Sequence, residues 1–282
     1  MSGAGTTTIG GDLQVDRLGF GAMRITGPGI WGPPSDPAGA VALLRRAVEL
    51  GVNFIDTADS YGPHVSEELI ATALAPYDGV VVATKGGLTR SGPGAWGVDG
   101  RPERLRAALE GSLRRLAVER IDLYQLHRPD AAVPFEDSLG VLIEAQQAGK
   151  IRHIGLSNVT AAELEQALAI AEIVSVQNRY SALDRGSQAV LDACTQRSIA
   201  FIPWFPLAAG EAVEADGTLA QVARSHGASP GQIALAWLLA VSPVMVPIPG
   251  TSKIVHLEEN VAAADIVLSG AEVEALSRPA AP

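Results

Sequence analysis

The feature that most constrains this chain is a repeated alternation of short apolar runs with longer amphipathic stretches. Eight runs of strand length occur in order, at residues 17–21, 52–56, 80–85, 121–127, 151–157, 173–177, 200–204 and 244–248. Between them, stretches such as 38–50, 101–116, 135–148 and 187–196 carry helical periodicity, and Gly51 and Gly149 stand where such helices would stop. Strands that alternate with helices predict a parallel sheet with crossover helices. Eight such units in 282 residues match a (β/α)8 TIM barrel, typically about 250 residues long. The expected fold is therefore α/β, with residues 1–282 as one barrel domain, a β-hairpin over residues 6–18 closing its bottom, and short extra helices near the C-terminal end. The Gly/Pro-rich stretches 27–37 and 91–100 read as surface loops, each following a barrel strand.

Composition narrows the function classes. A formal charge of −10 disfavours nucleic acid and anionic membranes as partners, because both attract basic surfaces. The single cysteine, Cys194, rules out an intramolecular disulfide and reads as a small buried hydrophobe. No apolar run approaches the ~20 residues that span a bilayer, and the first ten residues lack the basic and apolar segments of a signal peptide. A cytoplasmic setting is the expectation. The oligomeric state is left open, a monomer being compatible with everything in the sequence.

Strands buried in a barrel should be almost wholly apolar, so polar residues at their carboxyl ends need a reason. The second run ends in Asp56, the third in Lys85 and the fourth in His127, while Tyr61 follows Asp56 in the next loop. Each alone has an ordinary explanation as a helix cap, a rim lysine, a satisfied core histidine or a packing aromatic. Together they suit carbonyl reduction. A hydride arriving at carbon leaves negative charge on oxygen, and Tyr61 can protonate that oxygen if its pKa, ordinarily ~10, is lowered. Lys85 would lower it, Asp56 would hold the lysine, and a neutral His127 would orient the carbonyl and stabilise developing charge.

At these residues the chain resembles the aldo-keto reductases over nearly its whole length. The resemblance rests on Leu18 to Gly21, Asn53 to Gly62, Ala83 to Lys85, Asp122 to His127, Gly149 to Asn158 and Pro249 to Lys253, in that order and spacing. It implies Asp56, Tyr61, Lys85 and His127 as the catalytic tetrad. It also implies that Ser157, Asn158 and Gln177 bond the nicotinamide carboxamide and that Trp204 stacks on the ring. Gly21, Ala22 and Met23 would border the nicotinamide, while Phe205, Pro206, Leu207 and the loop through Gly210 would pass along the pyrophosphate. Gly250, Thr251, Ser252 and Lys253 would take phosphate at a helix start, and Glu259 and Asn260 the adenine edge. Lys253 and Ser252 favour NADP(H), with NAD(H) less favoured. One departure stands out: His256 occupies the place where relatives usually carry an arginine, and it lacks the guanidinium fork, so weaker discrimination between the two cofactors is expected.

No metal is expected, since His64, His127, His153, His226 and His256 show no paired ligand spacing. The Gly-x-Gly-x-x-Gly turn of a Rossmann site is also absent. The substrate pocket is expected from Met23, Trp31, Tyr61, His64 and Trp96, and suits a flat or aromatic carbonyl. Gly27 to Gly29, Gly32 to Pro34 and Gly62 to His64 also resemble segments of bacterial pyridoxal reductases within the family. Two other classes stay open: a cofactor-binding, redox-sensing partner resembling the potassium-channel β subunits, and a barrel hydrolase or aldolase using Lys85 as a Schiff base.

Overall fold

A computed structural model describes residues 3–207 and 217–278. The strands are β1 Thr6–Ile9, β2 Leu13–Asp16, β3 Phe20–Gly21, β4 Phe54–Asp56, β5 Val81–Gly86, β6 Leu88–Gly92, β7 Ala95–Val98, β8 Ile121–Leu126, β9 Ile151–Ser157, β10 Ile173–Gln177 and β11 Ala200–Phe201. The helices are α1 Pro37–Glu49, α2 Val65–Leu74, α3 Pro102–Leu116, α4 Phe135–Gln147, α5 Ala161–Leu168, α6 Gln188–Arg197, α7 Thr218–His226, α8 Pro230–Val241, α9 Ile254–Ala262 and α10 Gly270–Ser277. Local chemistry explains several boundaries. Asp36 caps α1 ahead of Pro37, capping boxes open α5, α8 and α10, and the helices before β4 and β9 stop at Gly51 and Gly149, both at positive φ.

Seven strands form one parallel sheet in the order β11-β10-β9-β8-β5-β4-β3. The eighth expected strand, 244–248, forms no regular ladder, because Pro247 has no N–H to donate. It still closes the barrel. Phe201 N donates to Val244 O at 2.8 Å, Val246 N to Phe201 O at 2.8 Å, and Gly19 N to Pro247 O at 2.9 Å. This seam is tight: a Cβ on Gly21 would lie 2.7 Å from Ile248 O, and one on Gly250 2.5 Å from Gly21 O, so glycine is required at both. The fold is the expected (β/α)8 barrel.

Two apolar clusters separate the barrel's inside from its outside. The inner one joins Phe54, Ala83, Leu123, Val174, Ala200, Ile202, Val246 and Ile248 to Ile9, Leu13 and Val15 of the hairpin. The hairpin β1–β2, turning through Gly10 and Gly11 in the left-handed region, therefore plugs the amino-terminal end. Asn53 ties it to β4 by accepting from Asp16 N at 2.7 Å and donating to Gln14 O at 3.2 Å. A second hairpin, β6–β7, occupies much of residues 88–98, where only a surface loop was expected over 91–100. Gly94 at positive φ, with few bulky residues around it, makes that turn, and the alternation there is too weak to announce strands.

Inside a strand, residues two apart share a face. Val174 belongs to the inner cluster and Val176 to the outer one, so β10 breaks the rule. The register between β9 and β10 shifts between Ile173 and Ser175, and this bulge swaps the parity of every residue after it. Gln177 consequently points into the barrel.

Candidate active site

The carboxyl ends of β4, β5 and β8 bring Asp56, Lys85 and His127 together, and the turn after β4 adds Tyr61. Lys85 Nζ is fully buried and donates to Asp56 Oδ1 at 2.6 Å, Thr57 O at 2.7 Å and Tyr61 Oη at 3.4 Å. Asp56 uses its second oxygen too, accepting from Gln177 Nε2 at 2.7 Å and Gln125 Nε2 at 3.3 Å. An ion pair stripped of water survives only if its remaining lone pairs and protons are satisfied, and this one is held by four further groups, Thr57 O, Tyr61 Oη, Gln177 and Gln125. Tyr61 stands edge-on to His127, with ring centroids 5.9 Å apart, and to Trp96 at 6.5 Å. Lys85 Nζ lies 5.1 Å from the centre of the phenol ring.

The electrostatics follow from burial against partners. Burial would pull the Lys85 ammonium down, but Asp56 and Tyr61 hold it above the usual lysine range, so it stays charged. Burial raises Tyr61, the Lys85 charge opposes that, and Asp56 adds to it, leaving the phenol above its ordinary value. The lowering by Lys85 expected from the sequence is thus real as a contribution and smaller than the effect of burial. His127 is held well below the usual histidine range by burial, then by Lys85 and Arg128. The cleft therefore combines a neutral phenol, a charged amine beside it and a neutral imidazole: a proton donor with groups suited to a developing oxyanion.

The residues expected to hold a cofactor lie around the same rim. Gly21 ends β3, Ala22 and Met23 follow it, Ser157 ends β9, and Gln177 ends β10. Asn158, in left-handed conformation, has both ends engaged: Nδ2 donates to His127 O at 2.9 Å and Ser157 Oγ at 3.0 Å, and Oδ1 accepts from Trp204 Nε1 at 3.2 Å. It pins the indole of Trp204, which also meets the Phe205 ring edge-on at 5.0 Å. Gln177 donates to Asp56, leaving its carbonyl oxygen as the end that can accept from an amide. Pro206 and Leu207 follow Phe205, and the loop through Gly210 lies outside the described residues.

Across the seam, Gly250, Thr251, Ser252 and Lys253 lead into α9, with Ser252 and Lys253 exposed and Thr251 buried. His256 and Glu259 are exposed on that helix, whereas Asn260 is buried. Glu258 is paired with Arg46 of α1 at 2.8 Å. Exposed donors at a helix start, glycines that admit close backbone approach and an indole fixed at the rim fit an extended dinucleotide. Among the described residues, no group of three or more His, Cys, Asp or Glu is gathered as a metal ion would need, and no helix is long and apolar enough to cross a membrane.

Of the residues expected to line a substrate pocket, Trp96 is 42 % exposed and edge-on to Tyr61, and Trp31 lies half-buried, bridged to Gly62. His64 is placed differently from these two. It caps α2 at φ +75°, and the charges it feels are those of Arg115, Glu67 and Glu68, with burial keeping its ring below the usual histidine range.

Three features had no separate signal in the sequence. Gln125 supports Asp56. Glu67, fully buried, accepts from Thr84 Oγ1 and Arg115 Nε, both at 2.6 Å. Asp59 is buried with Oδ1 unpartnered, and burial followed by the nearby Glu67 pushes its carboxyl up to about 7.

Comparison with known proteins agrees with this geometry. The chain is 45 % identical over 267 residues to pyridoxine 4-dehydrogenase of Escherichia coli, covering 92 % of this chain and 93 % of that protein. It is 51 % identical over 268 residues to an uncharacterised oxidoreductase of Schizosaccharomyces pombe, covering 95 % and 87 %. A crystal structure of an aldo/keto reductase from Klebsiella pneumoniae in complex with NADP and acetate superimposes with a TM-score of 0.81 at 28 % identity, covering 96 % of this chain and 93 % of that one. The model of the aldo/keto reductase family matches residues 17–278. With the barrel and the buried Asp56–Lys85–Tyr61 array already in place, that match over most of the sequence means that the chain belongs to the aldo/keto reductase family.

Proposed function

We propose that this chain, working as one barrel domain over residues 1–282, reduces an aldehyde or ketone with NADPH, Tyr61 giving the proton, and that pyridoxal is its leading substrate. The observation that carries the reading is Lys85 Nζ set between Asp56 Oδ1 at 2.6 Å and Tyr61 Oη at 3.4 Å, with His127 at the edge of the phenol. When bound, the dihydronicotinamide supplies the hydride to the carbonyl carbon. Tyr61 then transfers its phenolic proton to the oxygen, so that pyridoxal, NADPH and one proton give pyridoxine and NADP+. Lys85 stabilises the phenolate as it forms, and Asp56, anchored by Gln125 and Gln177, keeps the ammonium from losing its proton in a dry site. His127, neutral, donates a hydrogen bond to the carbonyl oxygen and orients it.

Cofactor contacts are assigned to Gly21, Ala22, Met23, Ser157, Asn158, Gln177, Trp204, Phe205, Pro206, Leu207, Gly250, Thr251, Ser252, Lys253, His256, Glu259 and Asn260. Asn158 acts in this reading by fixing Trp204 and the His127 backbone, in addition to any bond to the carboxamide. The similarity to pyridoxine 4-dehydrogenase supports the choice of substrate, and the NADP complex of the Klebsiella relative supports the choice of cofactor. The partners are then the dinucleotide and a small carbonyl compound, in a cytoplasmic setting.

Purified protein given NADPH is expected to oxidise it faster with pyridoxal than with unrelated ketones, followed by loss of absorbance at the dihydropyridine band. Equal rates would reject pyridoxal, and no turnover with any carbonyl would reject reduction. Lys253→Ala is expected to raise KM for NADPH by about tenfold, the scale of one lost charge-assisted hydrogen bond, and to leave KM for NADH nearly unchanged. Parallel changes in both would remove Lys253 from the 2′-phosphate site.

A further inference from the structure

The substrate side of the mouth is built from two segments, the loop at residues 27–33 and the β6–β7 hairpin, and one guanidinium joins them. Arg90 Nε donates to Ala95 O at 3.0 Å, Nη1 to Ile30 O at 2.7 Å and Ser60 O at 3.2 Å, and Nη2 to Gly29 O at 2.7 Å and Gly92 O at 3.3 Å. A guanidinium has five N–H donors, and all five are used. Every acceptor is a backbone carbonyl, drawn from the first loop, from the residue before Tyr61 and from Arg90's own hairpin. No donor is left for an anionic group on a substrate, so Arg90 is built as a pin.

What it pins is aromatic. The guanidinium carbon lies 3.7 Å from the centre of the Trp96 ring and 5.8 Å from that of Trp31, stacking that is a property of arginine in particular. Trp96 in turn meets Tyr61 edge-on. Backbone bonds from Gly94 N to Gly29 O at 2.9 Å and from Gly32 N to Gly62 O at 2.6 Å draw the same segments together. A large indole that stays exposed while its position is fixed from behind is a binding wall waiting for a flat apolar partner.

We propose that Arg90 is a positioning residue that sets substrate specificity, fixing Trp31 and Trp96 as the walls of a slot above Tyr61 that selects planar aromatic carbonyl compounds over small aliphatic ones. The inference rests on the carbonyl-reduction reading and deepens it. It involves the two tryptophans and not His64, which stands at the start of α2 at φ +75°.

The test compares wild type, Arg90→Lys and Trp96→Leu with NADPH and two substrates, 4-nitrobenzaldehyde and propionaldehyde. Lysine keeps the charge but is a point donor without the fork, so Arg90→Lys is expected to raise KM for the aryl aldehyde about tenfold, the equivalent of one or two net hydrogen bonds. kcat/KM for propionaldehyde should stay within about twofold, because the proton-donating groups are untouched. Trp96→Leu, which leaves the bonds of Arg90 in place, should reproduce the aryl-specific loss. Equal losses on both substrates, or none on either, overturn the proposal. Acrylamide quenching of tryptophan fluorescence reads the pin without turnover: it should rise in Arg90→Lys, and an unchanged quenching constant overturns the proposal whatever the chain reduces. A wild type that reduces neither aldehyde but whose quenching responds to Arg90→Lys would instead count against carbonyl reduction and leave the pinning of the tryptophans established.

Discussion

Tyr61→Phe is expected to slow carbonyl reduction by about 10²- to 10⁴-fold, the range over which a positioned proton donor contributes. The substitution removes one oxygen from a ring whose packing against His127 and Trp96 needs only its edges and faces. NADPH affinity, measured by fluorescence titration, should therefore change by no more than a few-fold. The pH dependence has a definite sign. Reduction needs Tyr61 protonated, and burial keeps its phenol above the ordinary value despite Lys85, so activity is retained through neutrality and lost only as pH rises through that high folded pKa. His127 is held below the usual range, so no break in the rate should occur at about 6.5, the pKa of free histidine. Turnover that survives Tyr61→Phe would move the protonating role elsewhere, and binding of NADPH without turnover in the wild type would favour the redox-sensing alternative.

Asp59→Asn is expected to stabilise the protein at pH 8 and to change little at pH 4. The carboxyl is buried with Oδ1 unpartnered, and its pKa is pushed from 3.8 up to about 7, chiefly by burial. Between those values the folded chain keeps a proton that the unfolded chain releases, so stability falls as pH rises across the window. At about 1.4 kcal/mol per pH unit, the penalty reaches at most about 4 kcal/mol above pH 7. Asparagine has nearly the same shape and no charge to desolvate. Unfolding midpoints measured from pH 4 to 8 should diverge between wild type and variant as pH rises, by several degrees at the alkaline end. Parallel curves would mean that Asp59 is solvated or paired in solution. Asp59 lies two residues before Tyr61 and adds to the raising of its pKa, so the same variant should move the alkaline limb of the rate profile slightly downward in pH.

Much of this was legible in the sequence, for a physical reason. A strand buried on both faces tolerates few polar atoms, so Asp56, Lys85 and His127 at the ends of apolar runs were visible as exceptions, and parallel topology then required them to be neighbours. Gly51, Gly149 and the Gly10-Gly11 turn were equally readable, since glycine marks backbone that other residues avoid. Arg90 was not, because an arginine inside a Gly/Pro-rich stretch looks like any solvated surface charge until five carbonyls are seen converging on it. Glu67 and Asp59 sit among residues that suggest a loop and a helix start, and nothing in their spacing tells that the surrounding packing shuts them from water. The 88–98 hairpin depends on tertiary pairing that outweighs weak local preference, whereas the broken ladder follows from Pro247, a residue inside the expected strand that cannot donate to it.

The irregularity near Ile173 carries a lesson about register. Between Ile173 and Ser175 the chain carries one more residue than the facing strand, and the ladder resumes beyond it with Gln177 opposite Ser157, on the side of Asp56. Register beyond the bulge is therefore part of the chemistry. Deleting one residue here would remove the bulge and leave Gln177 opposite Ser157, so the amide would keep its hold on Asp56; the ladder that resumes after the bulge fixes the carboxylate's anchor.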